Sequence, residues 1–150
     1  MAEKLIADNR RARHDYQLLD RVEAGLVLTG TEVKSLREGK TSLQRAYADV
    51  EEGEAWLHGV HIGEYLQGNR ANHEPERARK LLLHRREIDR LYGQVREKGV
   101  TIIPTRMYFK DGRVKVELAL ARGKELHDKR RDIAERDAKR QIERELGRRR

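Results

Sequence analysis

Six histidines, in a chain without cysteine, are the first residues to test for metal binding or catalysis. His58 and His61 lie three residues apart in a segment that predicts a strand, so they face opposite sides and cannot share one ion. His14 and His127 each precede an aspartate, but sequence neighbours rarely face each other and no serine occupies a nucleophile turn. We expect neither a metal site nor a catalytic triad.

Glycine-rich phosphate loops are also missing, because neither G-x-G-x-x-G nor a Walker sequence occurs. The paired carboxylates Glu51 and Glu52 adjoin a predicted turn, where a solvated loop explains them more simply than acid/base catalysis. These residues therefore provide no motif for nucleotide binding or acid/base catalysis, and we expect no cofactor.

Basic residues on predicted helices and strands form the remaining candidate site. They are Arg10, Arg11, Arg13, Lys34, Arg37, Arg77, Arg79, Lys80, Arg85 and Arg86. With 34 basic against 26 acidic residues, the net charge is +8, and cations that contact phosphate make binding salt-dependent. One Phe, one Trp and five Tyr supply few stacking platforms, which favours recognition of folded RNA by shape. DNA, another acidic partner or plain solubility remain alternatives.

The composition limits the class of protein. Of the 150 residues, 40% are charged, and no apolar run approaches the roughly 20 residues that cross a bilayer. The first residues contain no apolar signal segment. We expect a cytoplasmic protein that does not bind membranes, and a monomer, since no apolar surface stripe requires a second subunit.

The last 27 residues differ from the rest in charge density. Residues 124–150 contain 11 basic and 7 acidic residues, so their net charge is +4. The preceding 123 residues have the same net charge. Helix-supporting pairs recur four residues apart, for example Glu135 with Lys139. We expect a domain over residues 1–123 and a basic tail over 124–150 that is disordered alone and helical when bound to a polyanion. A purely solubilising tail is the alternative.

Short strands and hairpins dominate the first 123 residues. In chain order, we predict two strands meeting near Gly25 within Tyr16–Thr29, a helix from Gly30 to Gly39 with Thr31 as N-cap, and strands Arg45–Glu51 and Ala55–Ile62. A loop over residues 67–75 and a helix Glu76–Lys98 follow. The last elements are strands Val100–Phe109 and Arg113–Ala121, joined by a turn at Asp111-Gly112, with an edge or bulge at Pro104. This order predicts a mainly β fold with helices (α+β), namely a small antiparallel barrel flanked by two or three helices.

Several sequence blocks together resemble the SsrA-binding protein family, also called small protein B. The blocks are Asn9–Tyr16, Gly30–Arg37, Arg79–His84, Lys115–Lys124 and His127–Arg130. They occur in the family's order, and the match runs from about Asn9 to about Asp132. The resemblance implies an OB-like antiparallel barrel.

The resemblance also implies a bacterial trans-translation factor without enzymatic activity. Such a protein binds the tRNA-like domain of transfer-messenger RNA and accompanies its alanyl form, with elongation factor Tu, into the A site of 70S ribosomes stalled without a stop codon. There it stands in for the missing anticodon arm, and its tail becomes helical in the empty mRNA channel. Translation then switches to the RNA's own reading frame, which adds a degradation tag.

Three residues match family positions that grip the tRNA-like domain: Glu23, Leu82 and Lys115. A salt bridge remains the alternative for Glu23, and core packing remains the alternative for Leu82. We add Lys34 and Arg37 as phosphate contacts, because they are cations three residues apart on one helix face.

Other residues match family positions that meet the ribosome. His14 matches a position near the decoding centre, with a capping or core histidine as the alternative. Gly123 suits a tail hinge, and Asp128, Lys129 and Arg130 match a signature implicated in the mRNA channel. Arg148–Arg150 would add electrostatic attraction to rRNA. A structural ribosomal protein and an RNA hydrolase are the competing function classes.

Overall fold

The computed structural model describes residues 3–96, 99–123 and 136–144 of the chain. The strands are β1 (Glu3–Asp8), β2 (Tyr16–Leu26), β3 (Thr41–Ser42), β4 (Tyr47–Glu51), β5 (Glu54–His58), β6 (His61–Ile62), β7 (Arg79–Leu82), β8 (Val100–Lys110) and β9 (Arg113–Gly123). The α-helices are α1 (Arg10–Asp15), α2 (Gly30–Arg37) and α3 (Arg85–Val95), and Leu66–Ala71 forms a 3-10 helix. In the tail, residues 136–144 are helical. No helix within the described ranges is long and apolar enough to cross a membrane.

The main sheet closes on itself through antiparallel pairs. Its strands follow the order β1-β8-β4-β5-β7-β2-β9, and β8 also pairs with β9. Six strands therefore form an OB-like ring, with β1 attached to β8 and with β3 and β6 forming a separate two-stranded sheet. The predicted fold class, a small antiparallel β architecture with flanking helices, is confirmed.

The β8–β9 hairpin forms as the sequence predicts. Asp111 and Gly112 both have positive φ, at 52° and 76°, which a type I′ turn requires. The register shifts between Pro104 and Arg106, as expected where proline removes a backbone donor. Four apolar residues of β9 face the core, as the alternation predicts, but Ala119 and Ala121 on the other face are buried as well. Ala121 packs with Ala12 of α1 and with Ile103, so both faces are covered at this end of β9.

The predicted helix Glu76–Lys98 is wrong over its first part. Residues Arg79–Leu82 form β7, and the helix begins only at Arg85. Arg79 and Leu81 point into the protein while Lys80 and Leu82 point out, which is the period of a strand. A buried arginine concealed this alternation, because a charged residue at an inward position looks like the polar face of a helix.

The N-terminal segment and the cap of α2 also differ from the prediction. Strand β1 and helix α1 were not expected, although the side chain of Asn9 caps α1 by accepting a hydrogen bond from the Ala12 amide. The N-cap of α2 is Thr29, not Thr31, because Thr29 and Glu32 form a reciprocal capping box. Gly39, with a φ of 74°, follows the helix end as predicted.

The core lies inside the strand ring and under α2 and α3. Leu57, Ile102 and Leu118 are almost fully buried there, together with Leu36 of α2 and Leu91 of α3. Both helices therefore pack on the ring, and three of the predicted RNA contacts, Glu23, Leu82 and Lys115, lie on its strands β2, β7 and β9.

Candidate nucleic-acid interface

Two predicted RNA contacts meet at one glycine. Gly25 of β2 is paired with Leu82 of β7 on one side and with Lys115 of β9 on the other. A Cβ at position 25 would lie 3.2 Å from the Leu82 Cβ and 3.7 Å from the Lys115 Nζ. The missing side chain thus lets the leucine and the lysine come together.

A groove of about 720 Å³ opens at this row of residues. We call it the Gly25 groove; its lining includes Glu23, Gly25, Lys80, Leu82, Arg85 and Lys115, together with Glu54 and Glu87. Both cations and carboxylates line it, so it offers hydrogen-bond donors and acceptors in addition to positive charge. Such a mixed lining suits a nucleotide, which presents phosphate, ribose hydroxyls and base edges.

Glu23 is held by two neighbours and still reaches the groove. The Tyr108 hydroxyl donates to Oε2, and the Lys110 Nζ lies 3.4 Å from the same oxygen. The hydrogen bond from Tyr108 lowers the pKa of Glu23; burial opposes this, and Lys110 and Lys115 lower it further. The carboxylate is therefore ionised at neutral pH. The salt bridge considered from the sequence exists, and 37% of the side chain remains exposed to accept further hydrogen bonds.

Leu82 and Lys115 both point away from the core. Leu82 is 53% exposed while its neighbour Leu81 is 2% exposed, so core packing does not account for Leu82. Lys115 forms no ion pair within 4 Å among the described residues, whereas Lys80 contacts Glu54 at 3.3 Å. An apolar contact and an available ammonium group thus lie side by side.

Helix α2 carries Lys34 and Arg37 on a different part of the surface. Both residues are exposed, and the Lys34 Nζ lies 5.4 Å from the centre of the Tyr65 ring. Neither residue lines the Gly25 groove. The structure therefore does not bring these two predicted phosphate contacts to Glu23, Leu82 and Lys115.

Two of the arginines predicted as surface phosphate contacts bind a buried carboxylate, that of Glu32. Arg79 is fully buried and donates to Glu32, which also accepts from Arg77. Arg79 donates to the carbonyls of Val60 and Pro75 as well, at 2.8 and 3.0 Å. Burial alone would raise the pKa of Glu32, but hydrogen bonds from Arg77, the Thr29 amide and Arg79 hold it below its ordinary value. This cluster anchors α2 to β7, and Arg79 cannot contact phosphate.

His14 lies at the exposed end of α1, apart from the groove. Its side chain is 59% exposed, so it is not a core histidine, and Asn9 rather than His14 caps the helix. Its Nδ1 lies 2.9 Å from Asp15 Oδ1, so the expectation that these neighbours do not face each other is wrong. The helix ends at Asp15 and the chain becomes extended at Tyr16, which changes the direction of successive side chains.

The remaining histidine and tail predictions have separate outcomes. His58 and His61 belong to different strands and contact Asp49 and Glu76, respectively. Within the described ranges, no group of three histidines and carboxylates is arranged around a metal position. Gly123 is the last residue of β9, opposite Tyr16. Asp128, Lys129, Arg130 and Arg148–Arg150 lie outside the described residues.

Sequence reasoning missed the residues that support Glu23. Tyr108 and Lys110 belong to β8, and only the register of β8 against β9 brings Tyr108 opposite Lys115. Gly25 had a signal, since a glycine inside a strand pattern often marks a close approach of side chains or backbone. Lys80 was already among the basic candidates, and its alternation with the buried Arg79 and Leu81 places it on the outer face.

Comparisons with known proteins identify the family of the chain. The family model described as SmpB protein matches residues 6–148. Proteins named SsrA-binding protein from Saccharopolyspora erythraea and Nocardia farcinica are 61% and 63% identical over 97% of this chain and over 92% and 91% of their own lengths. A chain from a solved structure described as "tmRNA-SmpB: a journey to the center of the bacterial ribosome" is 50% identical, with a TM-score of 0.69 over 80% of this chain and 85% of that chain. With nearly its whole length matched, the chain belongs to the SmpB family.

Proposed function

We propose that this protein is the RNA-binding adaptor of trans-translation and that the Gly25 groove binds the tRNA-like domain of transfer-messenger RNA. One observation carries the proposal: Glu23, Leu82 and Lys115, which match the family's RNA contacts, line the same groove. Relatives named SsrA-binding protein and a tmRNA–SmpB structural neighbour support it.

Each groove residue has a distinct part in the proposed contact. Lys115 binds phosphate, because its ammonium group has no ion pair among the described residues. Leu82 covers an unstacked base with its exposed half. Glu23 repels phosphate but accepts hydrogen bonds from base or ribose donors, which adds specificity that charge alone does not provide.

The rest of the proposal concerns the ribosome. The protein acts without catalysis in the cytoplasm, and it delivers alanyl transfer-messenger RNA with elongation factor Tu to the A site of stalled 70S ribosomes. There His14 contacts rRNA of the decoding centre, and Lys34 and Arg37 bind phosphates. Gly123 serves as the hinge of the tail, while Asp128, Lys129 and Arg130 contact the empty mRNA channel.

Competition between two RNAs tests the RNA-binding part. The purified chain is titrated with the isolated tRNA-like domain and, in parallel, with an elongator tRNA at two salt concentrations. A preference for the tRNA-like domain that survives the higher salt supports recognition of shape. Equal binding that salt abolishes for both RNAs would show that charge alone acts, and would remove the main support for an adaptor.

Truncation after Gly123 tests the division between groove and tail. We expect the shortened protein to bind the tRNA-like domain almost as tightly as the full chain, because the groove lies entirely within residues 23–115. Tagging of incomplete proteins on stalled ribosomes should be lost. Loss of RNA binding together with tagging would contradict separate roles for the two parts.

A further inference from the structure

Tyr108 is a buried polar residue behind the Gly25 groove. Only 1% of it is exposed, and it does not line the groove. It lies opposite Lys115 in the β8–β9 pairing, in the row that continues through Gly25 to Leu82. Its hydroxyl donates to Oε2 of Glu23 in the adjacent row. The tyrosine thus touches the one groove carboxylate assigned to RNA recognition.

Arg106 fixes the ring of Tyr108 from the outer side. The guanidinium lies 4.4 Å from the ring centre, at cation–π distance. It is held there by Glu3 through Nη1 at 3.1 Å and by Glu117 through Nε at 3.1 Å. Glu117 is itself fixed, since Thr105 Oγ1 donates to it at 2.7 Å. The ring is covered by a side chain with two partners, which leaves the hydroxyl directed at Glu23.

The alternative support for Glu23 is weaker. Lys110 Nζ lies 3.4 to 3.5 Å from the two carboxylate oxygens, and 40% of the lysine side chain is exposed. A flexible, solvated ammonium group attracts a carboxylate but does little to fix its orientation. Orientation of Glu23 therefore depends on the charge-assisted hydrogen bond from the buried tyrosine.

We propose that Tyr108 is a positioning residue for RNA recognition, which fixes the Glu23 carboxylate so that its remaining lone pairs face a hydrogen-bond donor of the RNA in the Gly25 groove. This inference rests on the proposed function, in which Glu23 contacts the tRNA-like domain. An ionised carboxylate has about four acceptor positions, so the bond from Tyr108 leaves others open toward the groove.

A double-mutant cycle tests the coupling. Tyr108→Phe keeps the ring beneath Arg106 and removes only the hydroxyl; we expect it to weaken binding of the tRNA-like domain about three- to tenfold, the range of one lost hydrogen bond. In a Glu23→Ala background the same change should cost almost nothing, because the side chain through which the tyrosine acts is absent. Equal losses in the two backgrounds would overturn the proposal, since they would indicate a general structural effect.

A titration of the free protein separates this proposal from the proposed function. Side-chain carbon NMR of Glu23 should show a pKa below the ordinary value of 4.5 in the native chain and a higher pKa in Tyr108→Phe. An unchanged pKa would refute the positioning role. If the native chain showed no preference for the tRNA-like domain, the proposed function would fail, whereas a shifted Glu23 pKa would still establish the contact with Tyr108.

Tyr47→Phe is the matched control. Tyr47 is 47% exposed on β4, stacks on His58 and does not line the Gly25 groove. Removal of its hydroxyl should leave both the Glu23 titration and the affinity for the tRNA-like domain unchanged. A loss equal to that of Tyr108→Phe would mean that any tyrosine hydroxyl has this effect, and would contradict a specific role for Tyr108.

Discussion

Leu82 and Lys115 approach Gly25 from opposite sides in a single row of the sheet. They come from β7 and β9, which never pair with each other, and β2 between them supplies the residue without a side chain. The groove is thus a consequence of strand register, because a shift of one residue in any of these strands would turn its groove residue toward the core.

Leu81 and Leu82 should respond in opposite ways to alanine substitution. Leu81→Ala is expected to cost about 2 to 5 kcal/mol of unfolding free energy, because it empties a buried site. Leu82→Ala should change stability by less than about 1 kcal/mol, but should weaken RNA binding about fivefold, since covering its exposed half is worth roughly 1 kcal/mol. Urea unfolding and RNA titration measure both effects. A large stability loss in Leu82→Ala would show that this residue packs in the core.

Gly25→Ala should obstruct the groove. The added Cβ meets Leu82 Cβ at 3.2 Å, so the leucine must shift by a few tenths of an ångström, while Lys115 Nζ at 3.7 Å stays at ordinary contact distance. We expect at least a severalfold rise in the Kd for the tRNA-like domain, measured by titration. Gly63→Ala is the control, because its Cβ meets Lys40 Cβ at a similar 3.3 Å away from the groove. Equal effects of the two alanines on binding would mean that local crowding, not the groove, determines affinity.

Hairpins were predictable from this sequence, and a buried charge was not. Asp111-Gly112 specifies its turn locally, so the β8–β9 pair follows from adjacent residues alone. Arg79 is compatible with an inward position only because Glu32, 47 residues earlier, neutralises it. No local pattern contains that partner, and β7 was therefore mistaken for helix.

The residues of the candidate site also differ in how far the sequence predicts them. Glu23, Leu82 and Lys115 are predicted from the family resemblance, and the structure places all three at one groove. Tyr108 carries no local signal, because its contact with Glu23 depends on the pairing of β8 with β9 and of β9 with β2. Residues that support a site across strands need the register, which the sequence alone did not give to single-residue accuracy.

Lys115→Ala should change the salt dependence of RNA binding. If Lys115 neutralises one phosphate, its removal decreases the slope of log K against log salt concentration by about 0.7 to 1. Titrations of the tRNA-like domain at four or five salt concentrations measure this slope. Lys4→Ala serves as control, since Lys4 is exposed on β1 and lies outside the groove. An unchanged slope in Lys115→Ala would show that this lysine does not contact phosphate.

Glu32→Gln should destabilise the fold and alter its pH dependence. It leaves Arg79 buried without its counter-charge, which costs about 3 to 5 kcal/mol. Folding lowers the pKa of Glu32 below its ordinary value of 4.5, so ionised Glu32 stabilises the protein fully at pH values above 4.5. This stabilisation is lost as the pH falls through the lower pKa of the folded state. Urea unfolding between pH 3 and 7 should therefore show a shallower acid loss in Glu32→Gln than in the native chain.

Glu38→Gln is the control for Glu32→Gln, at an exposed carboxylate six residues later in the chain. Glu38 directly follows α2 and contacts Lys40 at 2.9 Å, but both side chains are about 40% exposed. An exposed pair of this kind contributes about 1 kcal/mol or less, so the substitution should leave the pH profile of unfolding nearly unchanged. Equal destabilisation by the two glutamines would contradict the anchoring of α2 by Glu32, because burial is the main difference between the two carboxylates.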